Sequence, residues 1–177
     1  MFTAKDVMEL RELTQAGMMD CKKALTECDG DFEKAKDYLR EKGLAAAAKK
    51  AGRIAAEGIV GGFVDPKTGV GVIVEVNCET DFVAKTDNFK DFVAMVAEQV
   101  AQKNPADVDA LLAQDCISTP GTTISGMLNE AVLKIGEKIS IRRFARYEGV
   151  VDCYIHLGGR IGVLTEMDAP ANLKDND

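Results

Sequence analysis

No stretch of the 177 residues approaches the roughly 20 consecutive apolar residues that a bilayer-spanning helix needs. The N-terminus also lacks a basic segment leading into an apolar one. A cytoplasmic location with no membrane partner is expected. Histidine is limited to His156, so any Ser-His-Asp or Cys-His site would have to use it, and no nucleophile elbow or protease motif accompanies it. Catalytic residues are therefore not expected. The five cysteines, Cys21, Cys28, Cys78, Cys116 and Cys153, are odd in number, scattered and without a C-x-x-C pair, which indicates neither a disulfide framework nor a zinc site. They read as reduced, mostly buried thiols. Basic residues are short as well: 22 against 29 acids give a net charge of −7 and a pI near 4.9. Such a balance argues against direct binding of nucleic acid and fits a partner with a basic or mixed surface. No cofactor and no bound metal are expected.

What is present is enough apolar residue for one medium domain or two small ones. Residues 1–43 read as three short helices. Thr3 and Asp6 are spaced like a capping box before Val7, Leu10 and Leu13 on one helical face, and Gly17 supplies a stop. A second helix spans about Met18 to Cys28, with Cys21, Ala24, Leu25 and Cys28 on one face, and Asp29-Gly30 turns the chain. A third, from Asp31 to Lys42, carries Phe32, Ala35 and Leu39, with Gly43 as its expected C-terminal cap. Leu44 to Ala56 is alanine-rich and reads as a linker helix; its cluster of Lys49, Lys50 and Arg53 is either a solvated face or a contact for an acidic partner surface.

From Glu57 the pattern becomes that of strands. Residues 59–64 and 70–76 flank a turn over Asp65-Pro66-Lys67-Thr68-Gly69, which predicts a hairpin. A helix follows from about Asn88 to Asn104-Pro105, buried through Phe89, Phe92, Val93, Val96 and Val100. Residues 105–123 are turn-rich and ambiguous, a further helix runs from Ile124 toward Gly136, and 139–144 alternates as a third strand. Residues 57–147 are expected as a first α+β core subdomain.

An internal repeat emerges at an offset of 91 residues: Glu57-Gly58-Ile59-Val60 lies on Glu148-Gly149-Val150-Val151, Phe63-Val64-Asp65 on Tyr154-Ile155-His156, and Gly71 to Val76 on Gly162 to Met167. Residues 148–177 therefore begin a second core subdomain, but its helical half does not follow. A lone hairpin is marginal in water, so it packs on the first subdomain, pairs with another chain, or belongs to a truncated protein, the option favoured here. A homodimer through this hairpin stays open.

The segment Asn77-Cys78-Glu79-Thr80-Asp81-Phe82-Val83-Ala84-Lys85 lies between a strand and a helix, where function concentrates. On the residues alone two readings stand: Thr80 or Asp81 caps a short turn while Phe82 and Val83 fill the core, or the loop is a working surface. Several blocks resemble the elongation factor Ts family in its own order. They are Leu10-Arg11-Glu12-Leu13-Thr14, Gly17 to Leu25, Ala48 to Arg53, Glu75 to Val83, Ile135 to Ile139 with Arg142-Arg143, and His156 with Gly159 to Leu164. The resemblance spans nearly the whole chain, except that longer members continue through the rest of the second subdomain, a helical hairpin and a C-terminal module.

The resemblance implies a ubiquitin-associated-like three-helix module, a linker, and an α+β core of antiparallel strands with packed helices. It implies a partner, elongation factor Tu, in its GDP-bound and nucleotide-free states, and a role in guanine-nucleotide exchange. Thr80, Asp81, Phe82 and Val83 match the motif that disturbs the partner's magnesium and phosphate site, with Phe82 as a wedge. Leu10, Met18, Met19 and Lys22 match the family's contact surface on the N-terminal module, although Leu10 and Met18 also suit a core. His156 falls in the partner-facing part of the second subdomain, or is an ordinary strand-end histidine. Two other functions compete. A metal-dependent hydrolase would use Glu75, Glu79 and Asp81, against which strand alternation weighs. A ubiquitin-like-domain adaptor or an RNA-binding accessory built on the three-helix unit would have no use for the Thr80 to Val83 loop.

Overall fold

The computed structural model of the chain describes residues 2–14 and 16–168. It is the expected α+β protein, with seven helices and two antiparallel sheets among the described residues. The chain forms two compact units: residues 1–53 with 125–138, and residues 54–124 with the described residues from 139 onward. The span expected as one subdomain, 57–147, is thus divided, because the helix near residue 130 groups with the N-terminal helices.

The first unit is built on α1 (Ala4–Thr14), α2 (Met18–Glu27), α3 (Phe32–Lys50) and most of α7 (Ile124–Ile135). Thr3 and Asp6 form the expected reciprocal cap: the Thr3 N–H donates to Asp6 Oδ2 at 2.6 Å and the Asp6 N–H to Thr3 Oγ1 at 3.4 Å. Gly17 does not stop α1 in a left-handed cap. It is extended, at φ −61°, and serves as the N-cap of α2. The Asp29-Gly30 turn is as expected, with φ 52° and 85° and a Gly30 N–H bond to the Leu25 carbonyl at 2.8 Å closing α2. Apolar burial follows the helical spacing: Val7, Leu10, Cys21, Ala24, Leu25, Ala35 and Leu39 form one cluster with Phe2, Phe32 and Tyr38 against it.

α3 corrects the expected boundary. Gly43 does not end the helix; it is a buried mid-helix residue, and the expected linker helix is its continuation to Lys50. A Cβ on Gly43 would meet the Asn129 carbonyl oxygen of α7 at 3.2 Å, so glycine here admits a close helix approach. Lys138 Nζ then binds the Ala51 and Arg53 carbonyls at 2.6 and 2.8 Å, capping the C-terminus of α3.

Glu130 of α7 is half-buried, and desolvation pushes its carboxyl above the ordinary 4.5, with Arg40 opposing from 3.9 Å. A raised folded value leaves stability intact below the unfolded value and removes some as pH rises through the folded one. Urea unfolding at about pH 4 and about pH 7 should therefore show a larger loss for the parent than for Glu130→Gln, by less than about 1 kcal/mol because the pair is partly solvated.

In the second unit, β1 (Glu57–Asp65), β2 (Val70–Cys78) and β3 (Ser140–Glu148) form a sheet in the order β1-β2-β3. Its central strand is valine-rich, and Val72, Val74 and Val76 are fully buried. β3 continues four residues beyond the expected strand, to Glu148. α5 (Asp87–Lys103) lies across one face, where Val93 abuts Gly61. It ends as expected, at Asn104 in the left-handed conformation with φ 42°. The ambiguous segment contains one short helix, α6 (Val108–Ala113), capped by Asp107.

The second hairpin, β4 (Val150–His156) with β5 (Ile161–Met167), packs on the other face of the sheet. Alternation along β1 explains both layers: Gly61 faces α5, whereas a Cβ on the next residue, Gly62, would lie 2.3 Å from Cys153 Sγ. Gly71 receives Leu164 in the same way, and Gly162 faces Val60 and Ile73. The described residues of this hairpin pack on the first sheet, as one of the expected arrangements has it; residues 169–177 lie outside the description. The repeat extends to register, since Phe63 pairs with Val72 and Tyr154 with Val163, both shifted by the same offset. Gly58 and Gly149 share an unusual φ of 145° and 131°.

Candidate functional site

β2 ends in two anchored residues. Asn77, nearly buried, donates from Nδ2 to the Glu57 carbonyl at 3.1 Å, tying the strand end to the start of β1. The buried Cys78 thiol donates to the Thr80 carbonyl at 3.2 Å. The chain then enters α4 (Asp81–Ala84), with Thr80 extended as N-cap and its hydroxyl accepting from the Val83 N–H at 3.4 Å. Such a cap contributes about 1 kcal/mol. Ala84 is buried beneath the turn, while the Thr86 hydroxyl and N–H both donate to the Val83 carbonyl, at 2.7 and 3.0 Å. One turn of helix is thus held at both ends.

On this turn Phe82 is 78% exposed. Of the reading in which Thr80 or Asp81 caps while Phe82 and Val83 fill the core, the Thr80 cap holds, Val83 is half-buried, and Phe82 fills no core. Leaving such a side chain in water forgoes about 2 kcal/mol of burial. Lys85 brackets it. Its ammonium lies 2.6 Å from Asp81 Oδ2 and 6.0 Å from the centre of the Phe82 ring. The Lys85 hydrogen bond holds the Asp81 carboxyl below the usual range, and the positive charges of Lys85 and of Arg160 add to the effect. The sequence signals Lys85 only through its i,i+4 spacing from Asp81, and it carries no local signal for Arg160.

Arg160 belongs to the turn joining β4 to β5, which is docked by a Val60 N–H bond to the Gly159 carbonyl at 2.7 Å. His156, at the end of β4, is exposed; the Tyr154 hydroxyl lies 2.8 Å from its Nδ1, with the rings stacked at 5.6 Å. The second hairpin therefore brings Arg160 into the electrostatic surroundings of the loop motif.

The N-terminal candidates belong to the other compact unit. Leu10 corrects the expectation: it is fully buried in the three-helix core and presents no contact surface. Met18, Met19 and Lys22 are exposed on α2. For the competing metal site the geometry is adverse, since Glu75 is taken by Arg143 at 2.7 Å and Arg142 at 3.5 Å, and Asp81 by Lys85. Among the described residues no three His, Cys, Asp or Glu side chains converge to hold a metal ion.

Residues 79–175 match the family model described as elongation factor TS, a match that begins at the loop just described. A relative from Trichlorobacter lovleyi, named elongation factor Ts, is 56% identical over 167 residues, covering 93% of this chain and 54% of the relative. Relatives of the same name from Clostridium perfringens and from a Nostoc species are 56% and 49% identical, covering 97% and 94% of this chain and 57% and 54% of their own lengths. The chain spans about half the length of the curated relatives it matches. Because the family model matches more than half of its residues, the chain belongs to the elongation factor Ts family.

Proposed function

We propose that this chain is a guanine-nucleotide exchange factor acting in translation elongation in the cytoplasm: it binds elongation factor Tu, disturbs the magnesium and phosphate site of the GDP-bound form, and so promotes GDP release. It is not an enzyme in the covalent sense. The observation that carries this is Phe82, exposed on a turn fixed by Thr80, Ala84 and Thr86. An aromatic wedge entering the partner gains large apolar burial, and that free energy offsets the displacement of elements supporting the metal. Magnesium bridging the phosphates is among the largest charges in a GTPase site, so its displacement weakens nucleotide binding sharply. Asp81, held ionised beside Lys85, supplies polar contacts that orient the wedge, and Val83 extends its apolar base. Met18, Met19 and Lys22 form a second contact on the GTPase, and His156 a third. Binding is reciprocal, so GDP weakens the factor as much as the factor weakens GDP, and the cellular excess of GTP sets the direction. The test is release of a fluorescent GDP analogue from purified elongation factor Tu at fixed magnesium: acceleration is expected, and absence of any binding to the GTPase would reject the proposal.

Self-association is a second reading, supported by the outer face of the β4–β5 hairpin. Tyr154, Ile161, Val163 and Met167 are exposed there, and the repeat aligns Tyr154 and Val163 with Phe63 and Val72 of the face that α5 covers in the first copy. A homodimer burying this face should give twice the monomer mass in equilibrium sedimentation and revert to monomer in Tyr154→Ser/Val163→Ser. A parent that stays monomeric at high concentration refutes it.

A further inference from the structure

The chain has a second charged surface that the exchange proposal does not use. Between Glu41 and Glu57 there is no acidic residue, in a chain with 29 acids overall. The basic residues of this stretch, Lys42, Lys49, Lys50 and Arg53, line one groove of about 270 Å³ between α3 and α7. Its floor is small and apolar, made by Ala45 and Ala46 of α3 and Leu133 of α7. The spacing is that of one continuous helical face, extended by the Arg53 that follows α3. Over that length the cations are spread along about 16 Å of helix axis.

Lys42 is held by Asp20 at 2.6 Å. Lys49 and Lys50 have no carboxylate partner among the described residues, in contrast to Lys34 and Lys36 on the first turns of the same helix, which pair with Asp31 and Glu33. A solvated helix face needs no alanine-lined hollow at its centre. A nucleic-acid site would be expected to carry stacking aromatics and a longer basic track, and neither lines this groove. An apolar hollow of this size, rimmed by the Lys49 and Lys50 ammonium groups, is complementary to an acidic amphipathic helix, whose carboxylates meet the rim while an apolar side chain enters the floor.

We propose that the α3–α7 groove is a docking site for an acidic amphipathic helix of a partner protein. Contact at this site is separate from the Phe82 wedge and does not depend on nucleotide exchange. The test is fluorescence anisotropy of the full chain with a fluorescein-labelled helical peptide carrying glutamates on either side of a leucine stripe. An analogue with glutamine for every glutamate and a labelled oligouridylate serve as competing probes. The acidic peptide should bind, and the glutamine analogue and the RNA should bind at least tenfold more weakly. Lys49→Glu/Lys50→Glu should weaken the peptide at least tenfold, whereas Lys34→Glu/Lys36→Glu, the same charge change on the same helix, should alter it less than twofold. Ala45→Phe, which fills the exposed floor without changing charge, should also weaken it at least tenfold. No binding by the parent, equal loss in the two charge-reversal variants, full binding by Ala45→Phe, or preference for the RNA would each overturn the proposal.

Discussion

Under the proposed exchange function, Phe82→Ala is expected to remove most of the acceleration of GDP release while leaving the chain's own stability almost unchanged. The two effects separate because Phe82 contacts almost nothing in the free protein: it is 78% exposed, and surface substitutions of this kind shift stability by no more than about 0.5 kcal/mol. At an interface, a buried aromatic anchor typically carries about 2 kcal/mol or more, so the exchange rate at a fixed, low concentration of the factor should fall by about 30-fold. The loss follows release of the fluorescent GDP analogue, with chain unfolding measured in parallel. Phe82→Leu, which keeps apolar bulk, should retain part of the activity. Unchanged exchange by Phe82→Ala would remove the wedge from the mechanism, and a parallel loss of stability would make its role structural.

Gly58→Ala has the largest expected effect on stability. At φ 145° a side chain is strained in any surroundings, and here a Cβ would also lie 2.2 Å from the Val76 carbonyl oxygen and 2.7 Å from Asn77 Cα. Backbone cannot yield as a flexible side chain does, so conformational strain and overpacking combine to about 3 kcal/mol or more. The repeat supplies an internal control. Gly149 has a similar φ of 131°, but a Cβ there meets only the Glu166 carboxylate at 3.9 Å. Gly149→Ala should therefore cost only the conformational part, about 1 to 2 kcal/mol. Urea midpoints of the two variants beside the parent measure both; equal losses would mean that strain alone, without the clash at Val76, decides the outcome. Because Gly58 adjoins Glu57, whose carbonyl holds Asn77, Gly58→Ala should also disturb the loop that follows β2.

What could be read from the sequence depended on how local each determinant is. The α1 cap, the end of α2 at Asp29-Gly30, the strands about the Asp65-to-Gly69 turn and the face of α5 follow from spacing within a few residues. Gly43 differs from its expected role because its meaning is tertiary: glycine after an apolar-periodic run usually ends a helix, but here the backbone at Asn129 requires the missing Cβ. The same holds for Gly62 and Gly71, which lie under Cys153 and Leu164 from strands more than ninety residues further along the chain. At the site, the Thr80 cap was legible as a residue type before a short helix. The exposure of Phe82 was not, since an aromatic at that position suits a core equally well. Leu10 failed in the opposite direction: helical spacing placed it on a face without saying which face is outward, and packing of α1 on α2 puts it inside. Arg160 was invisible because only the docked β4–β5 turn brings its charge near Asp81.

The order β1-β2-β3 also sets a timetable for synthesis. β1 and β2 are neighbours in sequence and can zip together as soon as they leave the ribosome, but β3 joins β2 only when Ser140 to Glu148 emerges, after α4 to α7 have all been translated. Until then one whole edge of β2, the most deeply buried strand of the sheet, has no partner. Closing so distant a pair is the slow part of folding. The nascent chain therefore spends the translation of some sixty residues with an apolar strand edge open, the interval in which a chaperone at the exit tunnel has most to shield.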